Sequence, residues 1–171
     1  MDADALELEI AIEASPEIVF GYFTDPDKLA QWHGVYAELE PRPGGKFRLN
    51  VTGRDVASGA FVTLEPYERI VFTWGWERPG HAIPPGLTTV DVTLTPIGSG
   101  TLVRLRHSGF PTSRSRQEHE RGWRHYLGRL RVAGAGGDPG PDPWETTDAP
   151  RSPGSKPDEA MTNPARPREE H

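Results

Sequence analysis

The chain has no cysteine and only two methionines among its 171 residues. The first absence removes disulfides, thiol nucleophiles and thiolate metal ligands together. An excess of basic charge is also missing: Lys and Arg number 19 against 25 Asp and Glu, a formal charge of −6. A nucleic-acid face needs the opposite balance. No stretch approaches about 20 apolar residues, so no membrane-spanning segment is read. The opening residues MDADALELEI lack the basic and apolar regions of a signal peptide. These absences point to a soluble protein, expected in the cytoplasm, with neither nucleic acid nor membrane insertion among its partners.

Apolar residues make up 35% of the chain, low for a fully globular sequence. The shortfall sits at the C-terminal end. From residue 134 the sequence carries Pro or Gly at frequent intervals with no apolar periodicity. It cannot bury enough apolar surface to offset its ordering entropy. Residues 134–171 are therefore expected to be a disordered, Pro/Gly-rich acidic tail. It carries eight acidic and four basic residues, which leaves residues 5–133 as one nearly neutral domain. Trp144, alone in that tail, is read as solvated, with docking across a cavity mouth as the alternative.

Within the domain, Leu6, Leu8, Ile10 and Ile12 alternate with Glu7, Glu9, Ala11 and Glu13, the period of a strand with one buried face. Ser15-Pro16 then gives an N-cap and a first-turn proline for a short helix burying Val19, Phe20 and Phe23. Asp25-Pro26 opens a second short helix that ends at Trp32-His33-Gly34. Strand-like runs follow at 47–51, 59–66, 69–77, 88–95 and 101–109, broken by Gly and Pro clusters, with a hairpin loop at Gly98-Ser99-Gly100. After Pro111 the period changes. His119, Trp123, Tyr126, Leu127 and Leu130 share one face of a helix over about 115–132, and arginines occupy the other, where pairing with nearby Glu is the favoured reading. The reading is α+β: a curved antiparallel sheet of six or seven strands around one long C-terminal helix, with two short helices after the first strand.

An ordered set of residues makes this pattern more specific. It runs from Ser15-Pro16, Val19-Phe20, Phe23, Leu29 and Trp32 through Gly44-Gly45-Lys46-Phe47, Gly59, Phe61 and Glu65-Pro66. It continues with Ile70-Val71-Phe72-Thr73-Trp74, Val90, Val92, Leu94, Pro96, Gly100-Thr101, Leu105, His107, Gly109-Phe110, His119 and Gly122-Trp123. In that order the chain resembles the Hsp-90 ATPase activator homologue family, within the START-like (SRPBCC) superfamily of birch-pollen allergens and polyketide cyclases. The resemblance covers about residues 6–130 and implies the helix-grip fold, a sheet wrapped around the last helix with a cavity between. Its members differ in function, so the fold alone assigns none.

Aromatic walls with few polar groups suit an apolar ligand. Trp32, Phe47, Phe61, Trp74, Trp76, His107, Phe110, His119 and Trp123 are the candidates for the lining, although such rings also fill the core of a small domain. His107 and His119 are both expected to point inward, as hydrogen-bonded structural histidines or as weak candidates for acid–base catalysis. Glu118 projects more to the side. His119 and His125 lie six apart on different helix faces, and neither HExxH, GxxxxGK[ST] nor GxSxG spacing occurs. No metal and no cofactor is expected. Gly122 interrupts the last helix, which points to close approach by the sheet or by something in the cavity.

Binding or sequestration of a small hydrophobic or aromatic molecule is the leading reading. A cyclase- or hydratase-type enzyme in the same cavity comes second. A co-chaperone-like interaction module comes third, disfavoured because the additional N-terminal domain of the eukaryotic activator is not found in the sequence. A homodimer through a sheet edge or helix is left open.

Overall fold

The structure, a computed structural model, describes residues 5–145. Seven strands form one antiparallel sheet in the order β1-β7-β6-β5-β4-β3-β2: Leu6–Ile12 (β1), Tyr36–Leu39 (β2), Lys46–Asn50 (β3), Val56–Glu65 (β4), Arg69–Trp74 (β5), Thr88–Ile97 (β6) and Gly100–Ser108 (β7). The meander β2 to β7 is closed by β1, which pairs with β7 from Leu6 opposite His107 to Ile12 opposite Thr101. The alternation in β1 is realised in full, with Leu6, Leu8, Ile10 and Ile12 buried. β2 is the strand the sequence runs did not name. Only four residues long, it has a single fully buried position, Ala37, and so carries no readable alternation.

Between β1 and β2 lie helices Pro16–Thr24 (α1) and Pro26–Trp32 (α2). Asp25 links them as C-cap of the first and N-cap of the second, its Oδ1 accepting from the Asp27 and Lys28 amides at 2.9 and 3.1 Å. α1 buries Val19 and Phe23. Phe20 is only partly buried, its ring edge-on to Tyr67.

The long helix, Ser113–Gly134 (α3), starts two residues earlier than its apolar stripe suggests, because Thr112 caps it through the Ser115 amide at 3.0 Å. It packs against β1, α1 and α2 and buries Trp123, Tyr126, Leu127, Leu130 and Ala133 on one face. These are spaced for a single stripe. The opposite face holds the i,i+4 pair Arg114–Glu118, while Arg116–Glu120 pairs, half-buried, on the stripe's own side in the first turns. This is the helix-grip arrangement, a curved sheet closed by a C-terminal helix.

Residues 135–145 turn back along α3. Arg129 reaches the carbonyls of Pro139 (Nη1, 3.3 Å) and Gly140 (Nη2, 2.9 Å), and one turn earlier His125 meets Asp142 at 2.8 Å. Trp144 is not simply solvated: its ring stacks on His125 at 4.0 Å and stands edge-on to Tyr126 at 5.7 Å. The rest of the expected tail, residues 146–171, lies outside the described residues.

Candidate functional site

Between α3 and the far half of the sheet lies a cavity of about 800 Å³. Its deep wall is aromatic and buried: His33, Trp74, Trp123 and Tyr126 are each 4% exposed or less. Trp76, His119 and Gly122 continue the wall, and Trp144 stands at its outer part. The rim is polar, with Arg54, Asp55, Glu77, Arg78 and Glu118. Those charges are largely spoken for. Arg78 reaches Asp55 at 3.4 Å, Arg114 pairs with Glu118 at 3.3 Å, and Glu77 forms a two-point bridge with Arg48 at 2.8 and 3.0 Å. That hydrogen-bonded guanidinium holds the Glu77 carboxyl below the usual carboxylate range.

Of the nine residues picked from the sequence, Trp74, Trp76, His119 and Trp123 stand on the cavity wall. Trp32, Phe47, Phe61, His107 and Phe110 lie in the packed interior beside it. Trp32 points into the α1–α2 contact, its Nε1 donating to the Tyr22 carbonyl at 3.0 Å. Phe47 stacks on Phe72 at 4.0 Å and meets Phe61 edge-on, which makes these rings core of the sheet face.

The two expected inward histidines are both fully hydrogen-bonded. The Trp123 indole N–H donates to His107 Nδ1 at 3.0 Å. An indole can only donate, so Nδ1 is bare and His107 Nε2–H donates to Thr88 Oγ1 at 2.8 Å. Thr88 passes its own proton to the Trp74 carbonyl at 2.8 Å. His119 repeats the logic. The Trp76 indole N–H donates to its Nε2 at 3.0 Å, which leaves Nδ1–H to donate to the Ser115 carbonyl at 2.8 Å. Burial pushes both imidazoles below the ordinary histidine range, aided at His107 by the neighbouring His119. Each is neutral, and each has spent both nitrogens on the protein. They tie the start of α3 to β5, β6 and β7.

A third histidine was not singled out from the sequence. His33 caps the C-terminus of α2, and its ring is packed by Trp32, Trp74, Trp123 and Tyr126 with centroids 5.2, 5.9, 5.1 and 4.3 Å away. Gly34 follows at φ +95°, and a Cβ there would lie 2.6 Å from the Asn50 carbonyl oxygen. Only glycine turns the chain so sharply beside β3. Burial lowers the His33 pKa to about 3, against a smaller opposing pull from Asp142. No signal of period or spacing marks such a residue; its surroundings come from α2, β5 and α3 at once. Tyr126, on the helix stripe, also lines the cavity, which its spacing alone does not reveal. Burial raises its hydroxyl pKa, and Asp142 adds to this.

Gly122 is not explained by contact with the sheet, since a Cβ there would meet nothing within 4 Å. It borders the cavity instead.

The sequence profile of the family described as "Activator of Hsp90 ATPase homolog 1-like protein" matches residues 13–134. The chain belongs to that family. Among solved structures, an AHSA1-like protein from Rhizobium etli is 42% identical, with a TM-score of 0.66 over 85% of this chain and 94% of that one. CalU16 from Micromonospora echinospora is 26% identical over 74% of this chain and 73% of its own, with a TM-score of 0.60. An Aha1 dimer from Colwellia psychrerythraea is 21% identical over 77% of this chain and 96% of its own, with a TM-score of 0.66, and shows the fold alone. Among curated proteins nothing matches. The family match ends at the last residue of α3, so Asp142 and Trp144 lie beyond it.

Proposed function

We propose that the chain binds a small hydrophobic or aromatic molecule in the cavity between α3 and the sheet. The observation that carries this reading is the contrast within the wall. It offers a deep aromatic surface, while His107 and His119, the histidines the sequence supplies for acid–base work, have both nitrogens occupied by protein groups. Burial leaves His33 on the wall too weakly basic, with a pKa of about 3, to take a proton near neutral pH. A general base must have a free lone pair within reach of the proton it takes. Binding therefore ranks above the cyclase-type reaction that the superfamily also accommodates. A volume of about 800 Å³ is within the range of small-molecule sites.

The test is native mass spectrometry of the purified protein, followed by denaturing extraction and a thermal-shift panel of aromatic compounds. A co-purifying molecule at fixed ratio, or a panel hit lost in Trp74→Ala, supports the reading. A bare protein mass with no shift across the panel removes it and moves the weight to protein partners. The Colwellia relative was solved as a dimer, and a second copy of this chain is the partner to examine first in that event.

A further inference from the structure

Among the described residues, the deep wall of the cavity leaves the Trp74 indole N–H, the Tyr126 hydroxyl and the His33 ring without a hydrogen-bond partner. The Trp74 indole N–H is buried with no hydrogen-bond partner. Among the described residues, nothing hydrogen-bonds either ring nitrogen of His33, which is 3% exposed. The contrast with His107 and His119 is sharp, since both of those are answered at each nitrogen. Buried polar groups in folded proteins are overwhelmingly paired, and an exception calls for a water, an ion or a ligand. The Trp74 and His33 rings stack with centroids 5.9 Å apart and both line the cavity, which sets them beside the same ligand volume.

The chemistry of that group follows from what the wall offers. Trp74 can only donate, so the group must accept, and a simple cation has nothing to accept with. A carboxylate accepts but would be stranded. Arg129, the guanidinium whose charge is felt at His33, is already bonded to the carbonyls of Trp32, Pro139 and Gly140, and an unpaired buried anion is strongly disfavoured. Neutral His33 carries one acceptor nitrogen. A hydroxyl engages Trp74 and the bare nitrogen of His33 through a single oxygen, accepting from the first and donating to the second, whereas a carbonyl only accepts and would leave that nitrogen unanswered. The surrounding rings suit a flat aromatic body attached to it.

We propose that His33 and Trp74 form the recognition point for the hydroxyl of a neutral hydroxy-aromatic molecule. This deepens the binding reading above and rests on it. The test compares 2-naphthol with naphthalene, which share a ring system and differ by one hydroxyl, by ¹H–¹⁵N NMR titration of the full chain. The expected result is about tenfold tighter binding of 2-naphthol, as one well-made neutral hydrogen bond gives. The Trp74 indole N–H resonance should move downfield with 2-naphthol only. In His33→Phe the preference should fall to the smaller part that the Trp74 bond alone supplies, and in His33→Gln, which restores an acceptor, it should partly return. Equal affinity of the two compounds for the wild-type protein overturns this proposal while leaving the cavity reading intact. Absence of binding by both overturns the two together. The wild-type comparison needs no variant to fold.

Discussion

Lowering the pH from 7.5 to 5.5 should weaken the fold through two buried histidines. His33 and His107 are 3% and 0% exposed, and both have pKa values lowered by burial, His33 to about 3. In the unfolded chain each titrates near 6.5. Between pH 7.5 and 5.5 the unfolded state therefore gains protons that the folded state refuses, and stability falls as pH falls. The contribution is full above 6.5 and is lost progressively below it, down toward the folded values. Integrating over the two units gives about 1.4 kcal/mol for each histidine, or roughly 2.7 kcal/mol for the pair. That is a large share of the 5–15 kcal/mol typical of a domain. Urea unfolding followed by tryptophan fluorescence measures it directly, as a shift in midpoint at constant m-value. His107→Gln keeps a group able to accept from Trp123 and donate to Thr88, and should remove about half of the slope. With His33→Phe added, most of the remainder should go, leaving the part contributed by His119, whose pKa burial also lowers. A wild-type stability unchanged across this range would refute the claim that these rings are held neutral inside the fold.

Other outcomes follow from single contacts. Gly122→Ala should stabilise the protein by about 0.5–1 kcal/mol in urea, because the helix gains a better former and the added methyl meets open space. Trp123→Phe should destabilise by about 1–3 kcal/mol, since it strands the bare His107 Nδ1 in the core. Arg129→Met should leave α3 intact but speed hydrogen exchange at residues 139–144, whose carbonyl anchors it removes. Trp144→Ala should weaken 2-naphthol binding about two- to tenfold with little change in urea midpoint, because that ring is 42% exposed yet stands on the cavity wall.

What could be read from the sequence was what repeats. The alternation of β1, the caps at Ser15 and Asp25 and the stripe from His119 to Leu130 each obey a local period or a local chemistry. The structure keeps all of them. β2 escaped because four residues hold too few alternations to count. The site was legible only where it lies on such a period. Trp74 and Trp123 face the cavity because a strand face and a helix stripe point there. Phe47 and Phe61 obey the same rule and still end in the core. Which part of a curved face is filled and which is hollow depends on where α3 crosses it, and that is a property of the assembled fold.

The three histidines show the same limit in chemical form. From residue type alone His107 and His119 were the candidates for reactivity, because they sit on periodic faces and must point inward. Pointing inward is also what lets an indole N–H cap each of them. Once capped at one nitrogen, a neutral imidazole has only its remaining N–H to give, and Thr88 and the Ser115 carbonyl take it. His33 has no such neighbours. It sits where α2 stops and the chain turns at Gly34, and its contacts are ring faces and edges, which exclude water without offering a strong hydrogen bond. Availability for a ligand is decided by this difference in partners, because all three rings are substantially buried and all three titrate low for the same reason. A search for reactive histidines by burial or pKa alone would rank them together. Hydrogen-bond accounting separates them, and it leaves His33 as the imidazole on the cavity wall with both nitrogens still to be answered.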